Sequence, residues 1–190
     1  MPESGGEETP QGYWMTVQTD IEFCTRQLAL VSRTFGLSIE ALPESMREQV
    51  RVAYLLCRIL DTIEDAVEVS LPIRRELFTL FNQSLISQDS PAADFESKAE
   101  ALGEESIPDN ELCRQASIVF RRYWSFSDAV RDCLQQPILE MSNGMRFYVK
   151  RYAKDGQHRI HTIEDLEEYC YYVAGTVGNL LTSLFLLECP

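Results

Sequence analysis

The chain has 190 residues, 45% of them hydrophobic and 25% charged, and carries a formal net charge of −13 at pH 7. This length fits a single domain with its own hydrophobic core, and the apolar content excludes wholesale disorder. The acidity argues against nucleic acid as a partner, because binding to phosphate backbones requires a surface dense in Lys and Arg.

The six cysteines are scattered singly along the chain, and His158 and His161 are its two histidines. This pattern offers no zinc-type ligand set, so we interpret the cysteines as small buried side chains in a reducing compartment. Residues 1–15 are acidic and contain several Gly and Pro, without the basic start and apolar run of a signal peptide. We therefore predict a flexible tail over 1–15, one domain over 16–190, and a cytoplasmic location.

Apolar residues recur at three- and four-residue spacing through the domain, which predicts helices nearly throughout. The first helix is expected over residues 17–32. A second should follow Pro43, which suits a helix start, and run over residues 44–67. A third is expected to begin near Pro72.

Residues 87–110 are rich in Ser, Pro, Asp and Glu, and they predict a loop with at most a short helix. A long helical stretch is expected over residues 109–153. We expect Pro137 and the Asn143-Gly144 pair to break or bend it.

Residues 154–161 are polar and basic, and we predict a loop there. Thr162 is expected to cap the final helix, with Asp165 as its reciprocal partner. This helix contains the uncharged run 171–187, which is at the short limit for crossing a membrane. Its Gly, Thr, Ser and Asn residues favour a core helix.

The most informative segment runs from Tyr54 to Asp65. Spacings of four, three and four residues place Tyr54, Arg58, Asp61 and Asp65 in one stripe of an otherwise apolar helix. Two carboxylates on such a helix are unfavourable unless a cation neutralises them, and oxygen ligands at this spacing suit Mg²⁺. The alternative is a buried Arg58–Asp61 ion pair with Glu64 and Asp65 exposed.

A second cluster, Ser32-Arg33-Thr34-Phe35-Gly36, lies where the first helix ends. Hydroxyls and a guanidinium beside Gly are chemically suited to binding phosphate. The same residue types are also common at helix C-termini, so the cluster alone does not distinguish a phosphate site from a helix end.

A third pattern places Tyr169, Val173, Val177 and Leu181 in one helical stripe. Such a stripe is either a core face with a polar tip or the lining of an apolar tunnel. Periodicity does not distinguish the two.

Together the three segments resemble the squalene/phytoene synthase family of head-to-head prenyl transferases. Residues 32–35 are similar to the family's phosphate-binding S-R-[ST]-F element, and residues 54–65 match its first aspartate-rich motif, Y-x-x-x-R-x-x-D-x-x-x-D. Residues 169–184 contain the signature Y-C-x-x-V-A-G-x-V-G-x-x-L. The form Asp61-Thr62-Ile63-Glu64-Asp65 is closer to squalene synthases than to phytoene synthases.

The resemblance implies an all-α isoprenoid (terpenoid) synthase-type helical bundle around a central apolar cavity. It implies Mg²⁺-dependent condensation of two molecules of farnesyl diphosphate to squalene through presqualene diphosphate, a cyclopropyl intermediate, with NADPH for the reductive step. The alternatives are phytoene or dehydrosqualene synthesis, or a non-catalytic relative acting as an assembly factor for respiratory complex I. Both motif aspartates are present, which favours an enzyme.

By the same resemblance, Asp61 and Asp65 would hold Mg²⁺ against the diphosphate of the substrate. Ser32 and Arg33, together with Arg58, would bind the diphosphate oxygens. These groups would stabilise the departing diphosphate as an allylic cation forms.

The resemblance also implies that Tyr54 and Tyr169 act in catalysis with Arg58, facing the carbocations. The prenyl channel would exclude water that otherwise quenches the cation. The residues implied to line it are Phe35, Val50, Cys57, Val173, Val177 and Leu181.

The family's second aspartate-rich motif does not occur in the 190 residues. We therefore expect the chain to be the N-terminal portion of a longer enzyme, with an incomplete bundle and no turnover by itself. Peripheral membrane association is a further expectation, since some squalene synthases attach through a later C-terminal helix.

Overall fold

A computed structural model describes residues 10–32, 34–89, 92–153 and 160–188, and all regular structure in these ranges is helical. The predicted all-α class is therefore confirmed. The helices, in chain order, are α1 (Pro10–Val31), α2 (Phe35–Glu40), α3 (Glu44–Asp65), α4 (Leu71–Ile86), α5 (Ala92–Ala99), α6 (Pro108–Arg114), α7 (Ala116–Trp124), α8 (Asp128–Ala153), α9 (Ile163–Cys170) and α10 (Thr176–Glu188). A 3₁₀ turn (Glu100–Leu102) follows α5, and a π turn (Tyr171–Gly175) joins α9 to α10.

Helix α3 lies at the centre of the bundle and packs against α1, α2, α4, α6, α7, α8 and α10. Its apolar residues lie on nearly every face, so the helix is stable only when surrounded. The residues of α3 with no exposed surface are Leu55, Leu56, Ile59, Leu60 and Ile63. The positions of polar groups on this helix are consequently fixed by the packing around it.

The C-terminal end of α3 is held by Arg74, a buried cation on α4. Its Nε donates to the carbonyl oxygen of Ile63 at 2.9 Å, and its Nη2 donates to that of Glu64. A cation is favourable here because the last carbonyls of a helix lack backbone partners and carry partial negative charge. Arg74 thus fixes the last turn of α3.

Three phenylalanines join α4, α5 and α7 on one side of the bundle. The ring centroid of Phe81 lies 5.4 Å from that of Phe120 and 6.3 Å from that of Phe95. All three rings are almost completely buried. Residues 87–110, predicted to be mainly loop, therefore include α5, which contributes Phe95 to the core.

The N-terminal end differs from the predicted boundaries. Helix α1 begins at Pro10, so residues 10–15 of the predicted tail are helical. Residues 1–9 lie outside the described ranges.

The predicted continuous stretch over 109–153 is wrong, because it consists of α6, α7 and α8. Ser125 and Ser127 end one helix and begin the next: the Ser125 hydroxyl donates to the carbonyl of Arg122, and the Ser127 hydroxyl accepts from Val130 N–H. Such bonds compete with a continuous helical ladder. The helix does not break at Pro137 or Gly144, since both lie inside α8, whose contacts with α3, α4 and α10 outweigh local propensity.

The Thr162 cap is confirmed, because its hydroxyl accepts a hydrogen bond from Asp165 N–H at 3.1 Å. The Asp165 carboxylate binds Arg151 with two hydrogen bonds of 2.8 Å instead of acting as the reciprocal cap.

The interpretation of the uncharged run as a core helix is correct for one face only. Leu180 and Leu184 are buried between α10 and the rest of the bundle, whereas Leu186 is 65% exposed. Among the described residues, the helical segment Ile163–Glu188 alone is long and apolar enough to cross a membrane. One such segment is weak evidence for insertion, since core helices share these properties.

Gly144 on α8 allows a close approach by the π turn. A Cβ atom at this position would lie 2.1 Å from Cγ of Tyr172, far inside van der Waals contact. Gly178 on α10 is the opposite case, because nothing lies within 4 Å of its Cβ position.

We predict that Gly144→Ala lowers the free energy of unfolding by about 1–3 kcal/mol, because the Cβ and Cγ atoms of Tyr172 must move to make room for the added methyl group. Gly178→Ala is the matched control and should raise it by up to about 1 kcal/mol through helix propensity. Urea unfolding followed by circular dichroism measures both. Equal effects of the two substitutions would contradict the assigned packing.

Candidate active site

A cavity of about 580 Å³ lies between α2, α3, the π turn and α10, with Met141 of α8 also contributing. This volume is within the range of about 300–1,000 Å³ that is common for small-molecule sites. All six residues predicted to line a prenyl channel lie on its wall, namely Phe35, Val50, Cys57, Val173, Val177 and Leu181. Most of the remaining wall is also apolar.

Two polar side chains of α3, Tyr54 and Asp61, reach this apolar wall. The Tyr54 hydroxyl donates to the carbonyl of Val31 at 3.4 Å, and its ring centroid is 6.3 Å from that of Phe35. Burial raises the pKa of Tyr54 and raises that of Asp61 to about 6, while the nearby Arg58 guanidinium opposes both rises. The Asp61 carboxyl is therefore harder to ionise than an exposed aspartate, and a nearby cation would favour its charged form.

Arg58 has its main partner on α6. Its Nε donates to Oδ1 of Asp109 at 2.6 Å, whereas its Nη1 lies 3.9 Å from Oδ2 of Asp61. The alternative of a buried Arg58–Asp61 pair thus describes a long contact that only partly compensates Asp61. Sequence reasoning missed Asp109, because it lies 51 residues away in the region predicted to be mainly loop.

Glu64 and Asp65 end α3 in different surroundings. Asp65 is exposed, whereas Glu64 is partly buried and accepts a hydrogen bond from the Tyr169 hydroxyl at 3.3 Å. Burial raises the pKa of Glu64 to about 7, although the Tyr169 hydrogen bond acts in the opposite direction. The alternative that both carboxylates are exposed is therefore wrong for Glu64.

Tyr169 does not line the cavity but lies beside Glu64 at the end of α9. Its ring packs edge-on against Tyr148 of α8, with centroids 5.3 Å apart. Burial raises the Tyr169 pKa, and the Glu64 charge adds to the rise, so the phenol remains protonated at neutral pH. It can therefore donate a hydrogen bond or a proton.

Only part of the predicted phosphate-binding cluster lies within the described residues. Ser32 is buried, and its hydroxyl donates to the carbonyl of Leu28 one turn earlier. Gly36 packs on this hydroxyl, since a Cβ there would lie within 2.4 Å of the Ser32 oxygen. Arg33 lies outside the described residues.

The residues present fit part of a magnesium site. Asp61 and Asp65 lie one turn apart on α3, and Mg²⁺ is commonly held by one or two carboxylates, with waters and substrate phosphates completing its shell. Within the described ranges, no group of three or more His, Cys, Asp or Glu side chains is arranged to hold a metal ion. The α3 pair alone could supply protein ligands for one side of such a site.

Residues 28–188 match the sequence model of squalene/phytoene synthases. The chain belongs to the squalene/phytoene synthase family. It is 34% identical to the squalene synthase of Schizosaccharomyces pombe over 175 residues, covering 89% of this chain and 35% of that protein. It is 27% identical over 165 residues to the Botryococcus squalene synthase of Botryococcus braunii, covering 87% of this chain and 32% of that protein.

The structural comparison agrees with this family assignment. The solved complex of TcSQS with the ligand BPH1237 superposes with a TM-score of 0.72 and 28% sequence identity, over 90% of this chain and 45% of that one. The chain thus spans about a third of the length of these curated family members and just under half of the solved one. The expected terpenoid synthase-type helical fold is confirmed.

The raised pKa of Glu64 predicts a pH-dependent stability. Its folded-state pKa of about 7 exceeds the ordinary value of 4.5, so the folded protein retains a proton that the unfolded chain releases. This stabilising contribution is fully present below about pH 4.5 and is lost as the pH rises through 7.

We therefore predict that Glu64→Gln changes the free energy of unfolding differently at the two pH values. Relative to the wild type, the variant should gain about 2 kcal/mol more at pH 8 than at pH 5, with EDTA present throughout. Urea unfolding at both pH values measures this difference. Glu167→Gln, an exposed change on α9, is the control and should show no such difference. The same result for both variants would contradict the burial of Glu64.

Proposed function

We propose that the protein is a squalene synthase-type prenyltransferase that joins two molecules of farnesyl diphosphate head to head. The observation that carries this proposal is the shape and polarity of the cavity: Tyr54 and Asp61 lie on a wall that is otherwise mainly apolar. A prenyl diphosphate has the same division, with an anionic head and a long hydrocarbon tail. Membership of the squalene/phytoene synthase family supports this substrate class.

At the polar end, Asp61 and Asp65 would hold Mg²⁺. The bound cation would neutralise charge on the diphosphate leaving group. Arg58 would donate hydrogen bonds to diphosphate oxygens, and Ser32 and Arg33 would contribute further donors. For Ser32 this requires rotation of a hydroxyl that now donates to its own helix.

At the apolar end, the side chains of α3 and α10 would enclose the prenyl chain and exclude water. Water exclusion matters because the allylic cation formed on loss of diphosphate reacts readily with any nucleophile. Tyr54 would face the cation from α3, and Cys57, one turn along the same helix, continues the wall. Presqualene diphosphate is the proposed intermediate.

Tyr169 is proposed as a catalytic phenol. Its hydroxyl lies at Glu64, close to the proposed metal ligand Asp65, and its raised pKa keeps it protonated as a donor. NADPH is the proposed hydride source for reduction to squalene, on family resemblance. Without reduction, the same site chemistry would give dehydrosqualene.

A cytoplasmic location with peripheral membrane association is proposed for the protein. The exposed apolar side chains Phe185, Leu186 and Leu187 at the end of α10 support contact with an apolar environment. A hydrocarbon product as insoluble as squalene would also favour release close to a lipid phase.

We predict that Asp61→Ala, in the protein expressed from its complete reading frame, lowers squalene formation at least about 100-fold. The substitution removes a ligand of the Mg²⁺ that would neutralise charge on the leaving diphosphate. The assay uses farnesyl diphosphate, Mg²⁺ and NADPH, with products identified by gas chromatography and mass spectrometry. Omission of NADPH separates squalene from non-reductive products.

Glu44→Gln is the matched control, since Glu44 is exposed on the first turn of the same helix. It should leave product formation within about twofold of the wild type. Equal activity of Asp61→Ala and Glu44→Gln would contradict the assignment of Asp61 to the metal.

For Tyr169→Phe we predict a decrease in kcat of at least about tenfold with KM changed less than about twofold, because the ring packing against Tyr148 remains while the donor is lost. Tyr172→Phe removes a weaker hydrogen bond, of 3.5 Å to Glu168, and is the control. Steady-state kinetics measure kcat and KM for both variants. An unchanged kcat for Tyr169→Phe would exclude a catalytic phenol.

A further inference from the structure

The ion pair between Arg58 and Asp109 connects the proposed diphosphate site to α6. We propose that Asp109 is a positioning residue, whose carboxylate holds the Arg58 guanidinium in the orientation that binds diphosphate oxygens. This inference rests on the proposed function and adds to it a residue outside the family motifs found in the sequence.

The geometry separates the two ends of the guanidinium. Asp109 accepts from Nε at 2.6 Å, while Nη1 is 3.9 Å from Asp61 and so makes only a long ionic contact there. Arg offers five N–H donors in a planar fork, so fixing Nε sets the direction of the Nη donors. The Arg58 side chain is 33% exposed, which leaves part of it accessible to a ligand.

Asp109 itself lies on a well-anchored segment. It follows Pro108 in the first turn of α6, and Leu112 and Cys113, three and four residues later, are fully buried. Asn110 donates through Nδ2 to the carbonyl of Glu104 at 3.0 Å, which ties the preceding loop to the helix. A carboxylate held in this way can restrict the movement of Arg58.

The charge of Asp109 and its positioning of Arg58 predict opposite effects on diphosphate binding when Asp109 is removed. A carboxylate beside Arg58 reduces the positive potential that attracts an anion, so removing Asp109 would strengthen diphosphate binding if only charge mattered. Positioning predicts weaker binding, because a free arginine must lose side-chain freedom when it binds. The sign of the effect therefore distinguishes the two roles.

The test compares three substitutions in the protein expressed from its complete reading frame, with inorganic pyrophosphate and Mg²⁺ as the probe. Asp109→Asn keeps an oxygen that accepts from Nε, whereas Asp109→Ala removes it and Asp109→Ser is too short to reach. Isothermal titration calorimetry should show Kd within about threefold of the wild type for Asn. For both Ala and Ser, Kd should be higher by about tenfold, with a matching rise in KM for farnesyl diphosphate.

Glu111→Ala is the matched control, because Glu111 lies on the same short helix and pairs with Arg26 at 3.0 Å, away from Arg58. It should leave Kd unchanged. Should the Ala variant fail to fold, as judged by circular dichroism, the Ser variant carries the comparison, since Ser is favourable near a helix N-terminus.

Pyrophosphate binding to Ala and Ser variants that is as tight as or tighter than in the wild type would overturn the positioning role. An equal loss for Asn, Ala and Ser would also overturn it, because the hydrogen bond is what the proposal assigns. A wild-type protein that does not bind pyrophosphate in Mg²⁺ would instead refute the proposed function, and this inference with it.

Discussion

The charge of Asp61 in apolar surroundings is the constraint on which the site depends. Helix α3 must be buried because most of its surface is apolar, and this burial raises the pKa of Asp61 to about 6. Arg58 makes its short contact with Asp109, and its Nη1 lies 3.9 Å from Oδ2 of Asp61. The Asp61 side chain, 36% exposed at the cavity wall, therefore has only a long contact with Arg58, which leaves its carboxylate accessible to a cation.

The rest of the bundle presents this carboxylate to a suitable cavity. α10 and the π turn place Val173, Val177 and Leu181 opposite α3, and Gly144 on α8 allows the π turn to pack closely. π turns inside helices often occur at functional sites, because they shift the register of the side chains that follow. Here the turn lies between Tyr169, which donates to Glu64, and α10, so that this hydroxyl and the apolar side chains at the cavity belong to one helical segment.

Sequence reasoning predicted what depends on local spacing. The α3 stripe follows from helical periodicity, the six cavity residues were implied by the family resemblance, and the cap at Thr162 follows from local chemistry. Contacts between residues far apart in the sequence did not follow from local spacing. The Asp109 partner of Arg58 comes from a segment predicted to be mainly loop, and the burial of Glu64 depends on the position of Tyr169, 105 residues away. The division of residues 109–153 into α6, α7 and α8 did not follow from helical periodicity, because it depends on local side-chain caps such as the Ser127 hydroxyl.

Locating the cation and the prenyl chain in one crystal would show whether α3 and the cavity act together. Crystals of the protein from its complete reading frame would be soaked with Mn²⁺ and farnesyl thiodiphosphate, and the metal would be identified by anomalous scattering. We predict Mn²⁺ bonded to the carboxylates of Asp61 and Asp65, with the farnesyl chain in the cavity between α3 and α10. A metal–diphosphate complex bound away from both aspartates, with that cavity empty, would contradict it.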